Sequence, residues 1–193
     1  MVIDSHIHLE KRKDPFESTG TLLREMDLAG VDRACLMPRV GTGSRYYGME
    51  DLEETLHFTQ RIVDEHPDKF YPLIWLNPTH PFSFVEKFLK KAVLNGPFRG
   101  VKLSVQMNAT DRRNDSLFSF LQEHDIPLLY HSWYKTVDKH LYESDPSDLA
   151  GMAERYPKLR VMLAHVTGGR IRGSVDILPH PNLYYDTSGS QPE

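Results

Sequence analysis

His6 and His8 stand two residues apart at the end of a short apolar run that begins with Val2-Ile3. On a strand, residues i and i+2 point to the same side, so both imidazoles share one face. Two neutral imidazoles on one face are half of a metal site. Asp4 lies two residues deeper and is placed to orient one of the rings. Two further histidines close later apolar runs. His131 follows Ile126-Pro127-Leu128-Leu129-Tyr130 and reads as a third ligand. His165 follows Val161-Met162-Leu163-Ala164 and reads as a further ligand or as the group that moves a proton beside the metal.

The elements that must position these residues follow from the periodicity. Strands are predicted over Val2–Leu9, Arg33–Met37, Tyr71–Leu76, Gly100–Val105, Pro127–His131, Leu159–His165 and Asn182–Asp186. They are nearly continuous apolar runs, as in a parallel sheet buried on both faces. Helices are predicted over Thr21–Ala29, Glu50–Glu65, Phe82–Leu94 and Leu117–His124, the last behind Asn114 and Asp115 as caps. Asp145-Pro146 reads as N-cap plus first-turn proline of a helix ending near Tyr156. Strand and helix alternate at short spacing, which is the pattern of an α/β fold. A doubly wound nucleotide-binding sheet wants a glycine-rich turn after strand one, where this chain has His-Ile-His-Leu-Glu. The chemistry instead falls at the C-terminal ends of several strands, which meet at one mouth in a parallel barrel. The expected architecture is a TIM-type (β/α) barrel with about seven parallel strands, incomplete, forming one domain over residues 1–193.

Composition narrows the partners. With 39% hydrophobic and 26% charged residues among 193, the chain can bury a sizeable core. A net charge of −4 and the absence of a long basic block argue against nucleic acid or a membrane surface as partner. The one basic run, Lys11-Arg12-Lys13, reads as a solvated loop. Cys35 is the single cysteine and reads as a small core residue, which fits a reducing compartment. No apolar run reaches the roughly 20 residues of a membrane helix, and with the first strand starting at Val2 no signal peptide is expected. The expected location is cytoplasmic and the expected partner a small-molecule substrate.

The ordered motifs Asp4-Ser5-His6-Ile7-His8, Gly100-Val101-Lys102-Leu103, Leu129-Tyr130-His131-Ser132, Leu163-Ala164-His165-Val166-Thr167-Gly168-Gly169 and Tyr185-Asp186-Thr187-Ser188-Gly189 resemble those of the amidohydrolase superfamily. They look most like its metal-dependent hydrolase and decarboxylase branch, typified by aminocarboxymuconate semialdehyde decarboxylase. The resemblance implies that His6, His8 and His131 bind a divalent metal, zinc and one ion rather than two, and that His165 acts on water or substrate. It also implies a last acidic ligand ending an eighth strand, within a Gly-Ser-Asp segment that this sequence lacks. A complete barrel of this type has about 250 residues, so about 60 would follow. The expected domain is therefore truncated at its C-terminal end, and its two open edges predict a homo-oligomer. Asp186 is expected to be structural. In some superfamily members a strand-four lysine is carboxylated and bridges two metals; here Lys102 is expected instead to pair with a carboxylate or a substrate.

Arg39 after strand two, His80 after strand three and Trp133 after strand five complete the expected substrate pocket with Lys102. The expected reaction is hydrolysis of an ester, lactone or amide of a small carboxylate-bearing substrate. Decarboxylation of an unsaturated or aromatic acid on the same site is the alternative. Phosphoester hydrolysis by a histidinol-phosphatase-like barrel would want an acidic-His motif where Met37-Pro38-Arg39-Val40 stands. Without the eighth-strand aspartate the chain could instead be an inactive metal-binding or scaffold form.

Overall fold

The computed structural model describes residues 1–10, 15–39, 47–135, 138–165 and 179–189; the side chains of Glu10, of residues 15–18 and of Arg39 lie outside that description. So do Lys11-Arg12-Lys13, most of the loop after the second strand, and the segment after His165.

Seven strands form one sheet in the order of the sequence, every neighbouring pair parallel. They are β1 (Ile3–Glu10), β2 (Arg33–Arg39), β3 (Phe70–Trp75), β4 (Gly100–Leu103), β5 (Leu128–His131), β6 (Val161–Ala164) and β7 (Leu183–Tyr185). Helices α1 (Pro15–Ala29), α2 (Met49–Glu65), α3 (Phe82–Leu89), α4 (Asp115–Glu123) and α5 (Pro146–Arg155) lie between them. The expected incomplete (β/α) barrel is what the chain forms.

Apolar burial divides into an outer and an inner layer. The outer layer includes Ile74, Val101, Leu103, Phe118, Tyr130, Leu149 and Leu163, packed between sheet and helices. The inner layer is Met37, Leu73, Leu129 and Ala164, with Cys35 and Met162 against it, and it floors the barrel. Cys35 thus packs as expected, and burial raises its thiol pKa. Alternation carries Lys102 on β4 and His131, two residues past Leu129, to the inner face. His165 follows the inward Ala164 and joins them through a backbone turn with φ of 64° rather than by alternation.

Local chemistry explains the element ends. Asp145 caps α5 by accepting from the Ser147 and Asp148 backbone N–H groups at 3.0 and 3.2 Å, while Asp148 accepts from the Asp145 N–H at 3.0 Å. Pro146 fills the first turn, where its missing N–H has no partner to lose. Most strand bounds move by one or two residues from expectation, and four departures have a local cause. Helix α1 begins at Pro15, six residues before Thr21, because proline is at home in a first turn. Strand β2 runs through Pro38 to Arg39 against β1, beyond the last residue it pairs with β3, where a missing donor costs little. The stretch after α3, Lys90–Leu94, is a π-helical turn. The cap before α4 is Asp111, which accepts from the Arg113 N–H at 2.9 Å and starts a 3₁₀ turn over Arg112–Asn114.

Candidate metal and catalytic centre

Strand β1 carries one extra residue against β2 between Asp4 and Ile7. Such a bulge bends the strand and re-aims side chains. Asp4 is consequently not stacked beneath the histidine rings. Its Oδ1 accepts from the His6 backbone N–H at 2.9 Å, which holds the bulge. Above it, His6 Nε2 and His8 Nε2 face each other at 3.1 Å.

The remaining rings extend from that pair. The His6 ring centroid lies 5.2 Å from that of His165, and His165 lies 5.1 Å from His131. All four strand-end histidines are therefore linked ring to ring, in the order His131, His165, His6, His8, with the last pair at 5.0 Å. Trp133 closes one side, 5.1 Å from His165 and 6.4 Å from His131. Trp75 closes the other, 5.1 Å from His8.

Asp186, just past β7, organises the cluster. Its Oδ2 accepts from His6 Nδ1 at 2.7 Å, and its Oδ1 accepts from the His165 N–H at 2.9 Å and from the Ser188 N–H and hydroxyl at 3.0 and 2.6 Å. Burial alone would raise this carboxyl, but those donors outweigh it and hold it well below the usual carboxylate range. His165 is in the left-handed region, with φ of 64°. A non-glycine residue pays about 1–2 kcal/mol for that conformation, and the bond to Asp186 fixes it. His165 Nδ1 lies 2.7 Å from the Ser188 carbonyl oxygen, to which it donates, so its Nε2 keeps the lone pair. Gly189, itself at φ of 71°, leaves the room: a Cβ there would stand 3.0 Å from His165 Nδ1 and 3.3 Å from Trp133.

The electrostatics keep the rings neutral. Burial lowers the pKa of His6, His131 and His165, and the Lys102 charge lowers each further. Lys102 is 2% exposed, and its Nζ has no hydrogen-bonding partner among the described residues. Burial pushes its pKa down to about 7, with the Asp186 charge opposing. The expected pairing of Lys102 with a protein carboxylate is thus only electrostatic.

A divalent ion fits this donor set. Two nitrogens bound to one tetrahedral zinc at about 2.0–2.1 Å lie about 3.4 Å apart, close to the 3.1 Å between the His6 and His8 nitrogens. His6 gives its other nitrogen to a buried carboxylate, the arrangement that fixes a ligating ring. His6, His165 and Asp186 also bring ligand atoms within 4.8 Å of one another.

One expected pocket residue, His80, stands apart. His80 Nε2 is bound to the Tyr47 carbonyl oxygen at 2.7 Å and its ring packs on Phe84, in a separate cavity of about 190 Å³ that Arg113 also lines. Arg39 ends β2, and its side chain lies outside the described residues. Two residues escaped the sequence reading. Ser188 is tied into the Asp186 cluster, and Glu143, 1% exposed, accepts from His131 Nε2 at 2.7 Å. Glu143 belongs to no motif and reaches its histidine only through a loop; Ser188 stands in the Tyr185–Gly189 motif, but the motif assigns it no partner.

A family model described as amidohydrolase matches residues 3–193. No curated protein matches in sequence. Similar solved structures include an uncharacterised TIM-barrel protein from Bordetella bronchiseptica, 19% identical with a TM-score of 0.69, where the match covers 90% of this chain and 60% of that one. A 4-oxalomesaconate hydratase from Rhodopseudomonas palustris is 17% identical with a TM-score of 0.68, covering 97% and 74%. A 2,6-dihydroxybenzoate decarboxylase from Rhizobium is 15% identical with a TM-score of 0.71, covering 98% and 80%. At these identities the likeness is one of fold, and the chain spans between 60% and 80% of those proteins.

Proposed function

The chain belongs to the amidohydrolase family, and from that premise we propose that it is a metal-dependent enzyme hydrolysing an ester, lactone or amide of a small carboxylate-bearing substrate. The observation that carries the reading is the 3.1 Å approach of His6 Nε2 and His8 Nε2, with His6 Nδ1 given to Asp186.

In this reading His6 and His8 hold the ion, His131 contributes a third nitrogen, and zinc is the ion that suits the set. A bound ion of this kind supplies a water acidic near pH 7 and polarises a substrate carbonyl. The protein's own residues do the rest. Asp186 keeps His6 in the tautomer whose Nε2 carries the lone pair. His165 Nε2 takes the proton from the attacking water and returns it to the leaving group, because its Nδ1–H is committed to Ser188. Trp133 and Trp75 wall the cluster on two sides, while His8 stays open to solvent and to an entering substrate. Lys102, charged or neutral near pH 7, meets the substrate carboxylate and gains the partner it lacks.

A second reading, decarboxylation of an unsaturated or aromatic acid, draws support from the fold shared with the Rhizobium decarboxylase and from the same buried Lys102 amine. Zinc-loaded protein assayed against esters, lactones, amides and aromatic acids separates the two. Acid released without CO2 supports hydrolysis, and CO2 release supports decarboxylation. No turnover on either panel by a protein that binds zinc contradicts both and leaves a metal-binding scaffold.

A further inference from the structure

We propose that Glu143 is a positioning residue for His131: it holds that ring in the Nε2–H tautomer and presents Nδ1 to the metal centre. This rests on the reading of His131 as a ligand.

Glu143 is in the loop between β5 and α5, yet its side chain is 0% exposed. The loop is folded back over the end of β5. Ser144 pairs with Ser132, the Trp133 N–H donates to the Ser144 carbonyl at 3.0 Å, and the Ser144 hydroxyl accepts from the Ala109 N–H at 2.9 Å. These bonds fix the backbone just after the carboxylate, and the Glu143 N–H, donating to the His140 carbonyl at 3.0 Å, ties the backbone before it. Its Oε2 accepts from the His140 N–H at 3.1 Å. Its Oε1 accepts from His131 Nε2 at 2.7 Å and from Lys135 Nζ at 3.0 Å, and the Lys135 ammonium also lies 5.3 Å over the Trp133 ring.

Burying a carboxylate in a loop costs several kcal/mol unless its acceptors are filled. Here three donors fill them, and one is the ring of a strand-end histidine. Of the two imidazole nitrogens, Nε2 is therefore spent as a donor, and Nδ1 is the one free to act as ligand. The pattern repeats on the opposite side of the cluster, where Asp186 takes Nδ1 of His6 and leaves Nε2. Each of these two histidines thus has its own buried carboxylate, one reading Nδ1 and the other Nε2.

The test uses metal-free full-length protein, ¹⁵N-labelled at histidine, with the His131 signal assigned from its loss in His131→Gln. We expect a single Nε2–H tautomer for His131 in the wild type and a tautomer mixture in Glu143→Ala. Zinc alone, titrated against a competing chelator, should bind about ten- to a hundredfold more weakly to that variant. Glu143→Leu serves if the alanine variant does not fold; it fills the space but accepts nothing from Nε2, so the tautomers should again mix and zinc should bind more weakly. A folded Glu143→Ala or Glu143→Leu with an unaltered tautomer overturns the proposal, whereas Glu143→Gln, which keeps an acceptor for Nε2–H, should retain the single tautomer. If the wild type itself binds no zinc, the metal reading fails, and the tautomer measurement alone decides whether Glu143 positions His131.

Discussion

Lys102 sits where stability alone would not put it. Its amine is buried without a hydrogen-bonding partner among the described residues, and burial lowers its pKa from 10.5 to about 7. Between those values the unfolded chain holds a proton that the folded chain does not, so folding is penalised progressively as pH falls toward 7. An apolar side chain of like length removes the penalty. Lys102→Met should therefore stabilise the protein by about 1–4 kcal/mol, in line with other replacements of buried charge, and should abolish turnover. Thermal melts at pH 7.5 with parallel assays test this; a lower melting temperature with activity retained would mean that Lys102 is structural. Residue chemistry of this kind was legible in advance for His6, His8, His131, His165 and Lys102, because each ends or occupies an apolar strand. It was not legible for Glu143 or Ser188, whose roles depend on how a loop returns to a strand end.

At the scale of elements, the site depends on the strands packing closely enough for their ends to meet. Gly100 opens β4, and a Cβ there would come within 2.7 Å of Leu73 and 2.8 Å of the Pro127 carbonyl oxygen. Because one of these atoms is backbone, the contact cannot be relieved by a rotamer change. Gly100→Ala should cost about 1–3 kcal/mol through overpacking, which at this chain length lowers the melting temperature by roughly 2–4 °C per kcal/mol. An unchanged melt would show that β3, β4 and the turn into β5 can shift apart. Strand identities and their parallel order were readable because buried parallel strands are written as apolar runs. The ends were less so: the bulge in β1 leaves no mark in Asp4-Ser5-His6-Ile7, and it is this extra residue that turns Asp4 from a ring partner into a backbone clamp.

Across the whole molecule, the sheet runs from β1 to β7 without pairing those two strands to each other among the described residues. Val2 and Ile3 on one edge and Tyr184 and Tyr185 on the other are exposed. Apolar edges of this sort favour pairing with another chain, so the chain should self-associate; light scattering across a concentration series checks this, and a monomer throughout contradicts it. Acid should also weaken the fold. His6, His131 and His165 all titrate below the ordinary 6.5 when folded. Below that value the unfolded chain takes up protons that the folded chain refuses, so stability falls with pH by up to about 1.4 kcal/mol per unit for each ring. Urea midpoints of metal-free protein should drop from pH 7.5 to 5.5, and a flat profile would mean that the rings are not held neutral. The most direct measurement is metal content after purification from zinc-supplemented medium. About one zinc ion per wild-type chain is expected, and none in His6→Ala/His8→Ala. Wild-type protein without metal, or a double variant that keeps it, would show that the histidine pair does not hold an ion.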